Sequence, residues 1–387
     1  MDQGKSTGPL TGLRVLEFEA IGPCPFAAMM LADMGAEVVT IARPGKTRRT
    51  PENFIWRGRH VIELDLKEAA NIAAVLDLVA GADILIEGFR PQVMERLRLG
   101  PDAAFARNPA LIYGRMTGWG QDGPLAPVAG HDINYIAITG ALDAFRSPGG
   151  EPVPPLNMVG DYGGGALYLL VGVLAALIEA RGSGRGQIVD AAMCDGVSHM
   201  LTMFHSLRAL GRWLDAPRAN FLDGGAHFYG VYECKDRRYL AVGAIEPQFY
   251  ATLRERAGLD DPAFDDQFDP AAWPRLREKM AALFKTKTRD EWAALLEHAE
   301  ACVAPVLSLA EAPDHPHLAA RETFVTVDGH RQPAPAPRFS RTASTLARSP
   351  AADVTSAEAV LSRWMAPRTE RGSQGLDGPV QPLGAAR

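Results

Sequence analysis

Three ionisable residues stand beside helix-start or turn signals: His131 in Gly130-His131-Asp132, Asp161 in Gly160-Asp161-Tyr162-Gly163, and Glu246 immediately before Pro247. Histidine and carboxylate side chains are the usual agents of general acid–base chemistry. Each also has a purely structural reading. Asp161 fits the N-cap of the apolar segment that follows it, His131 a hydrogen-bonded loop histidine, and Glu246 an acidic residue completing a helix start. Taken one at a time, these structural readings carry more weight than catalytic ones.

A second constellation is basic. Arg43-Pro44-Gly45-Lys46 is followed by Arg48 and Arg49, then Arg57 and Arg59, and later by Arg90 and Arg96. A solvated charged face explains such a set, and for Arg48, Arg49 and Arg96 the two readings balance. Arg43 and Arg90 differ because they directly follow strand-like runs, where an α/β sheet presents groups to a ligand, and guanidinium forks there suit phosphates. No H-E-x-x-H, P-loop, G-x-S-x-G or complete G-x-G-x-x-G motif stands in a fitting context. His315-Pro316-His317 lacks a third placed ligand and is read as loop, so no metal is assigned.

The elements that must position these residues open with a βαβ pattern: a strand over residues 14–18, a helix over 25–34 ending at Gly35, and a β-branched strand over 37–41. Further strands are predicted at 61–66, 82–89 and 110–115, with a helix over 69–80 among them. This alternation implies a parallel sheet covered by helices, with ligands beyond the carboxyl ends of the strands. After Asp161 a triple glycine opens a nearly all-apolar stretch, 166–178, which suits a helix buried on every side, as central core or dimer interface. From about residue 220 the pattern changes. Runs 228–234 and 239–244 flank the polar turn 235–238, a hairpin signature, and Thr288-Arg289-Asp290-Glu291 forms a capping box. The predicted division is a large domain over 1–220, a small α+β domain over 221–330, and a return segment to the large domain over 331–387. That segment includes the Pro-rich stretch 332–338 and a Gly/Pro/polar tail from Arg371, read as fraying.

Composition agrees with an ordinary globular chain: of 387 residues, 47% are hydrophobic and 22% charged. With 40 basic against 46 acidic residues the net charge is −6, which argues against nucleic-acid binding while leaving room for a local anion site. Cys24, Cys194, Cys234 and Cys302 show no C-x-x-C spacing and read as buried thiols in a reducing compartment. The opening MDQGKSTGPL has no apolar signal core, and the run 166–178 falls short of the ~20 residues of a spanning helix. The expectation is a cytoplasmic protein without a membrane partner.

The segments GLRVLEFEAIGPCPFAAMMLADMGAEVV, ELDLK, LIEGFRPQVMERLRLGP, MTGWGQDGPLA, GHDINY, GDYGGGALYLLVGVLAAL, GRGQIVDAAM, AVGAIEPQFY and PAPAPRFS together resemble the alpha-methylacyl-CoA racemase branch of the family III (CaiB/BaiF-type) CoA transferases, over nearly the whole chain. The resemblance implies an α/β fold: a Rossmann-like large domain with a smaller α+β domain, in an interlocked homodimer. It implies that His131 and Asp161 are the two catalytic bases and that Glu246 assists. Coenzyme A contacts fall on Arg43, on Leu64, Asp65, Leu66 and Lys67, on Gly88, Phe89 and Arg90, on Arg96, and on residues 130–135 including Gly130 and Tyr135. Transferase relatives commonly carry Tyr where His131 stands. Cys24 departs from the small residue usual in its loop, which bears on local acyl fit.

The implied activity interconverts (2R)- and (2S)-2-methylacyl-CoA thioesters, a reaction of fatty-acid metabolism. The thioester carbonyl acidifies the α-C–H, one base removes the proton and an acid on the opposite face returns one. The backbone N–H near Asp132, at a helix start, is the expected donor to the enolate oxygen. No cofactor is expected, since coenzyme A is part of the substrate. Met193, Met200 and Met203 are either acyl-pocket lining or core. The rival enzyme reading is a CoA transferase in which Asp161 attacks the thioester to form a mixed anhydride. The rival from another class is a non-catalytic acyl-CoA binder.

Overall fold

The computed structural model describes residues 7–45, 50–344, 346 and 354–365. Arg48, Arg49 and the tail from Arg371 lie outside the described residues. Contacts divide the chain into two compact units: the first within residues 1–139, 156–200 and 319–387, the second within 140–155 and 201–318. These limits differ from the composition change at residue 220 and from the limit set at 330.

In the first unit β1 (Arg14–Phe18) carries four consecutive buried residues, as a strand covered on both faces requires. The chain continues through α1 (Pro23–Asp33), β2 (Glu37–Ala42), β3 (Arg59–Glu63), α2 (Ala69–Gly81), β4 (Ile84–Glu87), α3 (Val93–Arg96), α4 (Pro101–Arg107), β5 (Ile112–Thr117) and α5 (Asp132–Ile138). After α6 (Ala141–Ala144), which belongs to the second unit, come a π-helical segment (Met158–Leu167), α7 (Tyr168–Ser183), β6 (Gln187–Ala192) and α8 (Met193–Met200). The strands form one parallel sheet in the order β3-β2-β1-β4-β5-β6, the doubly wound arrangement. Its order reverses between β1 and β4. The loops leaving those two strands therefore diverge and leave a crevice at their carboxyl ends.

Helices cover both faces of this sheet. Leu31, Val15, Ile84, Leu169 and Val173 pack on one side, and Leu16, Val39, Leu78, Tyr113 and Trp364 on the other. Gly114 on β5 permits the first of these layers: a Cβ there would stand 3.0 Å from both Leu169 and Val173 of α7.

Strand β3 begins two residues before its expected run and β5 two residues after its own, and the reason is polar. Arg59, which opens β3, and Arg115, within β5, are both buried, at 3% and 6% exposure. Arg59 Nε donates to Glu17 Oε2 at 2.7 Å, Thr40 Oγ1 donates to the same oxygen at 2.6 Å, and further Arg59 bonds reach the Ile55 and Pro25 carbonyls. Arg57 is likewise buried: its Nε donates to Asp33 Oδ1 at 2.9 Å, and its Nη1 donates to Gln332 Oε1 and the Pro333 carbonyl. Arg57 and Arg59 are therefore core ion pairs, neither a solvated face nor ligand groups.

The segment after Asp161 also differs from expectation. Val171 and Ile178 are 69% and 72% exposed, so α7 is open along one stripe rather than buried all round. The π segment and α7 run on as one helix, Met158–Ser183, of 26 residues, which by length and composition is long and apolar enough to cross a membrane, unlike the shorter run 166–178 on which the expectation rested. Composition gave the helix; it could not show that one face stays open.

The remaining labels follow chain order: α9 (Thr202–Ala209), β7 (Tyr229–Glu233), β8 (Tyr239–Gly243), α10 (Pro247–Ala257), α11 (Trp273–Phe284), α12 (Arg289–Leu296), β9 (Val303–Pro305), α13 (Pro316–Ala320), β10 (Phe324–Val327), β11 (His330–Pro333) and α14 (Ala357–Met365). In the second unit β7, β8 and β9 form an antiparallel sheet around the expected hairpin, backed by Phe228, Tyr250, Leu253, Leu276 and Trp292. The capping box is present: Thr288 N–H donates to Glu291 Oε2 at 2.8 Å, and Glu291 N–H to Thr288 Oγ1 at 3.3 Å. In the first unit α14 returns to pack on α2, with Trp364 against Gly81. Of the four thiols only Cys24 and Cys234 are buried; Cys194 is half-buried and Cys302 exposed.

A candidate acid–base site beside the sheet crevice

The loop leaving β1 turns at Gly22, whose φ of 69° lies in the left-handed region. A Cβ there would also come within 2.7 Å of Asp161 Oδ2, so conformation and close approach both demand glycine. Asp161 is thereby seated on the exit of β1. It projects from the π-helical segment, a wound form that recurs at functional sites. The triple glycine is what brings this segment in: a Cβ at Gly164 would stand 2.6 Å from Val197, and one at Gly196 on α8 would strike the Gly164 carbonyl. Gly196→Ala should therefore push the Asp161 segment off α8. The expected cost is about 1–3 kcal/mol of stability, together with reduced turnover, read by thermal unfolding and by assay of the same preparation.

His131 is the exposed N-cap of α5, with extended backbone (φ −133°, ψ 173°) and its own N–H donating to Asn134 Oδ1 at 3.0 Å. The next residue links the two candidate bases. Asp132 is 7% exposed, and its Oδ2 accepts the Asp161 N–H at 2.7 Å. Gly160 makes the approach possible, since a Cβ there would lie 2.5 Å from that oxygen. Asp132 Oδ1 finds no protein partner. The Asp132 N–H sits at the first position of α5, where the helix supplies no acceptor.

Burial raises the proton affinity of Asp161 above the ordinary carboxylate range. The Asn157 amide, donating to its Oδ2 at 3.0 Å, pulls the other way; the Asp132 charge raises it further and His131 lowers it. Tyr135 is buried, and its ring stands edge-on to Trp119 at 4.7 Å between centroids. Its hydroxyl donates to the Gly130 carbonyl, which braces the turn that presents His131. Burial raises the Tyr135 hydroxyl, with a further rise from Asp161 and an opposing pull from Arg90.

The predicted anion contacts sit at three strand exits, those of the neighbouring β2 and β3 and that of β4 across β1. Arg43 follows β2, Leu64, Asp65, Leu66 and Lys67 follow β3, and Gly88, Phe89 and Arg90 follow β4. Arg43, Lys67, Arg90 and Arg96 are exposed. Lys67 N–H donates to Asp65 Oδ1 at 3.1 Å, which tightens the β3 exit. Cys24 closes the crevice floor: a Cβ on Gly88 would lie 2.8 Å from its Sγ. Burial pushes the Cys24 thiol well up, and the Glu17 and Glu87 charges push it further, so it stays protonated.

His131, Asp132 and Asp161 thus share the first unit with the basic strand exits. Glu246 is the exposed N-cap of α10 in the second unit. Met193 is core at 6% exposure, Met200 lies against Gly163, and Met203 of the second unit is exposed. His315 Nε2 pairs with Glu297 at 2.6 Å. Sequence reasoning did not find Asn157. The signal available was its spacing four residues before Asp161, legible only if the helix begins at 158 rather than at 166.

The profile of CoA-transferase family III matches residues 10–354. The chain is 44% identical over 335 residues to the alpha-methylacyl-CoA racemase of Mus musculus, covering 86% of this chain and 87% of that one. It is 40% identical over 335 residues to the Homo sapiens protein of the same name, with the same coverage. Among solved structures, a CaiB/BaiF family protein from Brucella suis superposes with a TM-score of 0.78 at 25% identity, covering 92% of this chain and all (100%) of that one.

Proposed function

The chain belongs to CoA-transferase family III, and from that premise we propose that it is an alpha-methylacyl-CoA racemase, an isomerase interconverting the 2R and 2S epimers of 2-methylacyl-CoA thioesters. The observation that carries this reading is the pairing of His131 with Asp161 through the buried Asp132 carboxylate. Two bases of different type, fixed on separate elements, are what inversion at one carbon requires.

The thioester carbonyl makes the α-proton acidic enough for a side-chain base. In one direction His131 takes the proton and protonated Asp161 returns one to the other face; in the reverse direction the roles exchange. The raised proton affinity of Asp161 suits it to carrying a proton as well as taking one. Charge on the enolate oxygen is met by the free Asp132 N–H. Glu246 is assigned, on sequence resemblance alone, to steadying the imidazolium. The chemistry calls for no metal or organic cofactor, because coenzyme A arrives as part of the substrate.

Arg43 and Arg90 are assigned to the phosphates of coenzyme A. Arg43→Ala and Arg90→Ala should each weaken inhibition by free coenzyme A several-fold at low salt, while turnover at saturating thioester changes little. Inhibition equal to wild type in both variants would remove the assignment.

A homodimer and a cytoplasmic location belong to the same proposal. The stripe of Leu167 at the end of the π segment with Val171 and Ile178 on α7, and Ile188 on the edge strand β6, offers an apolar face for a second copy, and free thiols suit a reducing compartment. Folding and association should then be coupled. Sedimentation at low concentration should show no active monomer; a well-folded active monomer would count against an interlocked pair.

The function test is solvent exchange. Each separate epimer, incubated in heavy water, should gain deuterium at C2 as its chirality is lost.

A further inference from the structure

Five residues, Gly88 to Gln92, separate β4 from α3 and carry Arg90. The acidic residues bounding this loop converge on one guanidinium. Glu87, the last residue of β4, accepts from Arg115 Nε at 2.9 Å through Oε1. Glu95, on α3, accepts from Arg115 Nη1 at 2.7 Å and from Nη2 at 3.3 Å. The second oxygen of Glu87 accepts the Phe89 N–H at 2.7 Å, inside the loop itself.

The loop is held internally as well. The Arg90 carbonyl accepts the Val93 N–H at 3.2 Å, and Gln92 (φ 67°, ψ 1°) takes the left-handed third position of a type II turn after Pro91. Gly88 is pressed against Cys24 and Ala20, and Gly100 against Glu95.

Glu87 is fully buried at 0% exposure and Arg115 nearly so, which makes the arrangement expensive in desolvation. Burial pushes the Glu87 carboxyl up to about 7, with the Phe89 N–H and Arg115 pulling the other way. Apolar residues would join β4 to β5 as firmly. What they would not do is fix both ends of a five-residue loop to a single rigid group.

We propose that the Glu87–Arg115–Glu95 cluster is a positioning clamp that sets the Arg90 loop in its coenzyme A-binding form before the ligand arrives, so that binding does not have to order the loop. This rests on the reading of Arg90 as a coenzyme A contact. None of the three residues touches the ligand in this account; they act through Arg90.

The test is titration calorimetry with free coenzyme A on Glu95→Gln, Glu87→Gln, Arg90→Ala and the Arg90→Ala/Glu95→Gln pair, with steady-state kinetics on one 2-methylacyl-CoA epimer. Glu95 is half-exposed, so its amide variant keeps the experiment valid if a Glu87 variant fails to fold. Glu95→Gln should raise Kd by about three- to tenfold, with the loss falling on KM rather than kcat. In the Arg90→Ala background the same change should alter Kd by clearly less than in the wild type, because the charged contact that the clamp positions is gone and, of the loop's assigned contacts, only Gly88 and Phe89 remain. Wild-type affinity in Glu95→Gln, or its full effect persisting without Arg90, overturns the clamp while leaving Arg90 as a contact. Wild-type affinity in Arg90→Ala overturns the contact, and the clamp falls with it.

Discussion

His131→Ala and Asp161→Ala should each lose inversion of 2-methylacyl-CoA by about 10²–10⁴-fold, the range a positioned acid or base contributes. The two losses should not be identical in kind. A base on one face can still take a proton and hand it back on that face when its opposite number is missing. Each variant should therefore retain slow deuterium exchange, with His131→Ala favouring one epimer and Asp161→Ala the other. The asymmetry follows from the placement of the two bases: His131 caps α5, Asp161 rises from the π segment, and the Asp132 carboxylate links the two supports. A nucleophilic Asp161 gives no reason for His131→Ala to exchange one epimer selectively. Separate incubations of each epimer in heavy water, with chirality followed alongside, decide the matter; full inversion surviving in either variant would sink the two-base assignment.

Arg59→Ala should be the most destabilising single change, at about 3–5 kcal/mol. Arg59 and Glu17 side chains are both wholly buried, and the Glu17 carboxylate answers to Arg59 and Thr40 alone among the described side chains. Removing the guanidinium leaves a charge inside the sheet and also strips donors from the Ile55 and Pro25 carbonyls. The double change Glu17→Leu/Arg59→Met should recover most of the loss, since neither charge is then stranded. Urea unfolding of the two variants is the measurement. A loss below about 1 kcal/mol in Arg59→Ala, the scale of an exposed pair, would show that the pair is not the buried support described.

Much of the large sheet was legible because its strands are continuous apolar runs. The bounds of β1 came through unchanged, and α1 and β2 nearly so. The reading slipped where a charged residue enters the interior: Arg59 falls outside the expected run 61–66 and Arg115 closes the run 110–115, yet both are buried in the sheet. It slipped again at the triple glycine, which in the sequence only opens the apolar stretch but in the fold lies within a π-helix packed against α8. At the candidate site, His131 and Asp161 stand in short motifs that single them out as candidates. The Asp132 carboxylate that links their supports carries no such signal, because its partner is 29 residues away in sequence. Arg57 shows the converse error. It belongs to a basic run by composition, yet its partners are Asp33 and the distant Gln332.

The central claim is that this chain exchanges and inverts an α-proton. The direct measurement is incubation of the wild-type protein with each 2-methylacyl-CoA epimer in heavy water, in the presence of a carboxylic acid able to accept coenzyme A. The account predicts deuterium at C2 from both epimers, convergence on one epimeric mixture, and no thioester formed on the added acid. Transfer of coenzyme A to that acid without C2 exchange would contradict it and identify Asp161 as a nucleophile instead.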